Sequence, residues 1–164
     1  MIHSLSEWLN GIGLIGLFLT MFIEGASIPF PGIVVVLAYG YMMPLNILEA
    51  SAVAAGMSFF YSIASLIPYA IAYKLENLLP SKLKRGVKKA RNWFHKYGVW
   101  SIALARPFGV GNYISYVAGL TKVGPLRFLC LTFIGIFPWA LAMLIIGDKT
   151  VPVIEQYLRN AHFR

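Results

Sequence analysis

Charge-free stretches, rather than an alternation of apolar and polar positions, organise this chain. Asp, Glu, Lys and Arg are absent from Trp8–Ile23, Gly25–Leu48, Ala50–Tyr73, Pro107–Thr121 and Phe128–Gly147. A helix that crosses the hydrocarbon of a bilayer needs about 20 residues. Ala50–Tyr73 and Phe128–Gly147 reach that length and are expected to span it, the first bent near its end by Pro68. The remaining stretches are interrupted, and the interruptions are informative.

Between Gly11 and Tyr41 the apolar run breaks at Glu24 and again at Pro29-Phe30-Pro31-Gly32. Two prolines and a glycine within four residues do not continue a regular helix. The flanking pieces, about Gly11–Ile23 and Ile33–Met43, are each too short to cross upright. The expectation is a re-entrant hairpin: helix in, broken tip, helix out. Backbone of that kind at membrane depth is tolerated where protein or a water-filled cavity covers it. Gly98–Leu120 repeats the theme, with Arg106-Pro107, Gly109 and Gly111 between two short arms. A plain oblique helix pair is the alternative for either segment.

The two halves follow one order: broken hairpin, glycine, polar break, long span. Gly40 closes the first hairpin and Gly119 the second; Gly56 and Gly135 each follow 16 residues later. Interrupted helices at corresponding positions of an internal repeat point to the binding site of a secondary transporter. The expected fold is therefore an all-α integral membrane domain. It holds two broken re-entrant hairpins, each followed by a transmembrane helix and related as an inverted repeat. The divisions are 11–73, a basic segment 74–97, 98–147 and a tail 148–164.

Composition agrees with this pattern. Only 12% of residues are charged and 59% are apolar, against about 25% charged in a soluble domain. The net charge of +8 is concentrated between the halves, where seven cations fall between Lys82 and Lys96. Leu83, Val87, Ala90, Phe94 and Tyr97 recur there at helical spacing, which predicts an amphipathic helix in the membrane interface. Lys84, Arg85, Lys88 and Lys89 would meet anionic headgroups on the cytoplasmic side. Nucleic-acid binding competes poorly beside so many membrane segments. Cys130, the single cysteine, allows no intrachain disulfide, and the three histidines lack metal-ligand spacing. No cofactor motif and no enzyme motif appears; Gly11-x-Gly13-x-x-Gly16 mimics a dinucleotide fingerprint but has no strand before it.

Glu24 and Arg106 are the leading candidates for chemistry. A carboxylate beside a broken helix costs roughly 2.5–3.5 kcal/mol in hydrocarbon, and desolvation favours its neutral form, so Glu24 is a candidate proton carrier. Arg106, placed before Pro107, offers a guanidinium that binds phosphate oxygens in a bidentate way. Asn112, Tyr113 and Ser115 would add neutral hydrogen bonds. The structural alternative is an ion pair between Glu24 and Arg106 that only ties the hairpins together.

Phe22-Ile23-Glu24-Gly25 leading to Pro29-Phe30-Pro31-Gly32 resembles the first signature of the DedA family, the SNARE-associated or VTT domain. Ala105-Arg106-Pro107, Val117-Ala118-Gly119, then Arg127-Phe128 and Gly135 before Trp139 resemble its second. The resemblance implies two opposed re-entrant hairpins. It also implies a bacterial plasma-membrane carrier for undecaprenyl phosphate or a phospholipid, driven by a gradient of protons or sodium ions. Glu24 and Arg106 match the family's acidic and basic positions. Ile33 stands where many members have an acid, and Gly111-Asn112 where many have a second arginine. The alternatives are an energy-independent scramblase and a non-transporting membrane scaffold.

Overall fold

A computed structural model describes residues 2–43, 45–75, 92, 98–106 and 111–162. The described elements are all helical: α1 Ile2–Gly25, α2 Gly32–Met42, α3 Ile47–Ala64, α4 Leu66–Leu75, α5 Ser101–Ala105, α6 Gly111–Leu120 and α7 Pro125–His162. The basic segment with Lys84, Arg85, Lys88 and Lys89, and the tip residues Pro107 and Gly109, lie outside the described residues.

Each break has a local cause. Gly13, at φ 56° and ψ −155°, interrupts α1, a conformation that costs glycine little because it has no Cβ. The Tyr39 hydroxyl of α2 donates to the Gly13 carbonyl and ties the two arms together there. The glycine-rich stretch that mimics a nucleotide motif is thus a kink. Beyond the kink, Gly13–Gly25 and Gly32–Met42 are the short apolar arms of the first hairpin. At about 1.5 Å per residue neither spans a hydrocarbon core of about 30 Å.

α1 ends in a paired capping pattern, Ser27 N–H to the Glu24 carbonyl at 3.0 Å and Ile28 N–H to the Ile23 carbonyl at 3.4 Å. Ser27 takes the left-handed conformation there at φ 66°. Asn46 and Glu49 form a reciprocal capping box that starts α3. The proline-induced bend expected near the end of the first span falls between α3 and α4. Pro68 cannot donate to the Ala64 carbonyl and its ring crowds it, and α3 stops at Ala64.

Taken together, Ile47–Leu75 and Pro125–Lys149 are long and apolar enough to cross a bilayer. The charges at Asp148 and Lys149, which mark an end in the sequence, do not stop α7: the helix continues to His162. α3 and α7 run antiparallel, since Ile47 and Ala50 lie beside Leu144 and Asp148 while Ser62 and Ile63 lie beside Leu129 and Ile134.

Packing follows an exchange pattern. α1 packs on α3 and α5 on α7, whereas α2 packs on α7 and α6 on the α3–α4 helix. α1 and α5 thus each lie on the next long helix of the chain, and α2 and α6 each on the other one. Glycines set the closest approaches: a Cβ at Gly40 would sit 2.2 Å from the Leu144 carbonyl oxygen, and one at Gly147 2.3 Å from that of Leu37. Lipid offers no hydrophobic drive between helices, so such close backbone contact carries the association. One buried cluster gathers Leu17, Met21, Val36, Met57 and Leu144. A second gathers Tyr69, Ile102, Ile114 and Phe128. Outward, Ile15, Leu48, Leu104 and Leu126 are each more than two-thirds exposed. That surface suits lipid contact rather than water.

Candidate functional site

Tyr61 of α3 is where the end of α1 and the end of α5 meet. From one side Gly25, at the end of α1, backs onto its carbonyl so closely that a Cβ would lie 2.5 Å from the oxygen. From the other side Arg106, one residue past α5, reaches its hydroxyl at 3.4 Å.

Arg106 is 4% exposed and sits in a cage of hydroxyls and rings. Its Nη2 donates to Thr132 Oγ1 at 2.8 Å and to Ser115 Oγ at 3.2 Å. The guanidinium carbon stands 5.4 Å from the Tyr61 ring centroid and 5.3 Å from that of Phe128, within the range of cation–π attraction. Thr132 and Ser115 are both fully buried. The cage therefore draws on α3, α6 and α7 to hold one side chain from the second hairpin.

Glu24 is placed differently. Its Oε2 is buried and makes no hydrogen bond. It rests on Gly32, the first residue of α2, so that a Cβ there would fall 1.7 Å from the oxygen. A helix N-terminus favours negative charge at that place. The Ser27 hydroxyl, in the same turn, is also buried without a hydrogen bond. Among the described residues no ion pair joins Glu24 to Arg106; Tyr61 contacts the guanidinium, and the Glu24 oxygen has no hydrogen bond of its own. The pairing expected from sequence is replaced by hydroxyl contacts to the guanidinium.

Among the remaining predicted residues, Ser115 joins the Arg106 cage, while Tyr113 is turned outward at 72% exposure. Gly111 and Asn112 fall in the first turn of α6. Gly119 serves packing: its Cα abuts the Tyr69 carbonyl, where a Cβ would be at 2.3 Å. Pro29 and Pro31 are exposed at the first tip. Sequence reasoning missed Tyr61, Phe128 as a cage wall, Thr132 and Ser27. The available signal was weak: a hydroxyl inside each apolar span, Tyr61 between Ser58 and Ser62, and Thr132 alone in its run.

The VTT domain model matches residues 28–149, most of the chain. The chain belongs to the VTT-domain, or DedA, family. Two curated relatives carry the name undecaprenyl phosphate transporter A. The protein of Bacillus subtilis (strain 168) is 30% identical over 157 residues, covering 90% of this chain and 76% of its own length. That of Staphylococcus aureus (strain NCTC 8325 / PS 47) is 23% identical over 155 residues, covering 87% of this chain and 76% of its own length. No solved structure matches. As a VTT-domain protein with two helices of spanning length and an apolar exterior, the chain is a membrane protein.

Proposed function

We propose that this VTT-domain protein moves a phosphate-bearing lipid, undecaprenyl phosphate or a phospholipid, across the bacterial plasma membrane. The observation that carries the proposal is a buried guanidinium at one helix break, held by the hydroxyls of Tyr61, Ser115 and Thr132, with a buried carboxylate oxygen that makes no hydrogen bond at the other break. A guanidinium binds phosphate oxygens with charge-assisted, directional hydrogen bonds, stronger than those Arg106 makes to the neutral hydroxyls of Tyr61, Ser115 and Thr132. The two relatives named undecaprenyl phosphate transporter A support that class of substrate.

In this mechanism the hairpins are re-entrant and form an inverted repeat, a reading supported by the exchange of arms between the long helices. Rocking one half against the other exposes Arg106 first to one leaflet and then to the other. Protonation of Glu24, or sodium binding beside it, releases its seat against the start of α2 and couples the movement to an ion gradient. The basic segment with Lys84, Arg85, Lys88 and Lys89 faces anionic headgroups and gathers lipid.

The test is transbilayer movement of undecaprenyl phosphate and of undecaprenol in proteoliposomes. Wild type moves the phosphate and leaves the alcohol. Arg106→Gln, folded by its thermal transition, loses that movement. Equal movement of phosphate and alcohol, or wild-type rates in Arg106→Gln, would refute the proposal.

A further inference from the structure

Two further phenols lie on either side of the Arg106 cage, at different depths. Tyr61, the midpoint of the span Ile47–Leu75, sets the depth of the cage itself. Tyr39 lies toward the face where that span begins: its neighbour Gly40 backs onto Leu144, and both line one cavity with Ile47 and Asp148. Tyr69 lies toward the opposite face, where the span ends at Leu75. It reaches Val123, two residues ahead of the start of α7 at Pro125.

Both phenols are buried, and each donates its hydroxyl to a backbone carbonyl at a helix interruption. Tyr39 donates to Gly13, whose ψ of −155° turns the carbonyl out of the helical ladder. Tyr69 donates to Val123 in the turn between α6 and α7. A carbonyl left without a donor at membrane depth is costly, so each phenol supplies what water would otherwise have to bring.

Each bond also joins parts that are anchored separately. α1 packs on α3 and α2 on α7, so Tyr39 ties two arms held by different long helices. α4 packs on α6, and Tyr69 reaches past it to α7. Its ring stacks on Phe128 with centroids 4.8 Å apart, and Phe128 is a wall of the guanidinium cage. Toward the other face, Leu17, Met21 and Val36 share one buried cluster with Tyr39. Along the two arms they fall between the Tyr39–Gly13 bond and Glu24. Apolar packing thus seals both approaches to the buried Arg106, and a phenol fastens the far end of each seal.

We infer that Tyr39 and Tyr69 are the two gates of the Arg106 site, one for each face of the membrane. The inference rests on the reading of Arg106 as the site of a carrier. Breaking the Tyr69 bond frees the start of α7 from α4 and opens the cage beside Phe128. Breaking the Tyr39 bond parts α1 from α2 and opens the way past Glu24 to Tyr61. Each freed carbonyl then needs a water, so a gate opens only as its own face becomes wet. The basic segment that follows Leu75 makes the Tyr69 gate the cytoplasmic one. With both bonds made, the structure is the occluded form.

The experiment reads access from each side and needs no lipid substrate. Ser115→Cys, inside the cage, is the reporter in the full chain carrying Cys130→Ser, and Thr132→Cys is a second reporter. A membrane-impermeant methanethiosulfonate is added to sealed right-side-out vesicles and to inverted ones. Tyrosine to phenylalanine keeps the ring and removes one hydrogen bond, which shifts a gate toward its open form about fivefold. Tyr69→Phe is therefore expected to speed labelling about fivefold in inverted vesicles and to leave right-side-out vesicles unchanged. Tyr39→Phe is expected to do the opposite.

Faster labelling from both faces in one variant would indicate a general loosening and overturn the assignment. So would labelling that neither variant changes, or that both speed from the same face. Sided labelling in protein that moves no undecaprenyl phosphate would keep the gates and remove the transport reading. Transport without sided labelling would do the reverse.

Discussion

Gly32→Ala separates the seat of Glu24 from the stability of the fold. A Cβ at Gly32 would lie 1.7 Å from Glu24 Oε2 and 2.7 Å from Cδ, whereas ordinary contact begins at 3.4 Å. The carboxylate must therefore swing away, but it is the end of a flexible side chain and is able to do so. An off-rotamer displacement costs about 0.5–1.5 kcal/mol. Replacing a helical glycine by alanine contributes about 0.5–1 kcal/mol in the opposite direction. The two nearly offset, so the midpoint of thermal unfolding in detergent stays close to wild type.

Gly25→Ala provides the contrast. There the obstacle is the Tyr61 carbonyl oxygen at 2.5 Å, which belongs to the backbone and has no rotamer to change. Overpacking of that kind costs about 1–3 kcal/mol. The expected outcome is a stable Gly32→Ala that moves lipid at about one tenth of the wild-type rate or less, since misplacing a reacting group by 1 Å can cost a hundredfold. Gly25→Ala is destabilised. Wild-type transport by Gly32→Ala would show that the seat of Glu24 is immaterial. Destabilisation of Gly32→Ala to the extent of Gly25→Ala would refute the packing argument.

Other changes test neighbouring parts. Thr132→Val keeps the shape but removes the 2.8 Å acceptor of Arg106; thermal unfolding is expected to report a loss of about 1–3 kcal/mol. Gly40→Ala and Gly147→Ala each force α2 from α7 at contacts of 2.2 and 2.3 Å. Each is expected to cost about 1–3 kcal/mol, and the double variant to cost less than the sum because one separation relieves both. Ser27→Gly releases a left-handed serine at φ 66° and deletes a buried hydroxyl without a partner. It is expected to raise stability by about 1 kcal/mol after the entropy of glycine is subtracted, and unchanged or lower stability would contradict that.

The parts of the fold governed by short-range chemistry were legible in the sequence. Pro29, Pro31 and Gly32 mark the end of one arm and the start of the next, and Pro68 marks the bend, because proline and glycine act on their own backbone. The capping box of Asn46 and Glu49 was equally local but hidden by treating Glu49 only as the edge of a charge-free run. Asp148-Lys149 closes the spanning stretch Pro125–Lys149 while the helix itself continues to His162, because charge ends a membrane span without ending a helix. Tyr61 and Thr132 carry no mark of their own. They become cage residues only because α3 and α7 run antiparallel and bring Arg106 between them, a long-range arrangement that no spacing encodes. For the same reason the sequence paired Glu24 with Arg106 by charge, while the fold surrounds the guanidinium with hydroxyls of Tyr61, Ser115 and Thr132.

Coupling of Glu24 to lipid movement is the central claim, and one measurement addresses it most directly. Transbilayer movement of undecaprenyl phosphate is followed in proteoliposomes of wild type and Glu24→Gln, each with and without an imposed pH gradient. The mechanism predicts that the gradient accelerates wild type and leaves Glu24→Gln slow and indifferent. Equal movement in all four conditions would contradict it and leave Glu24 with a purely structural role.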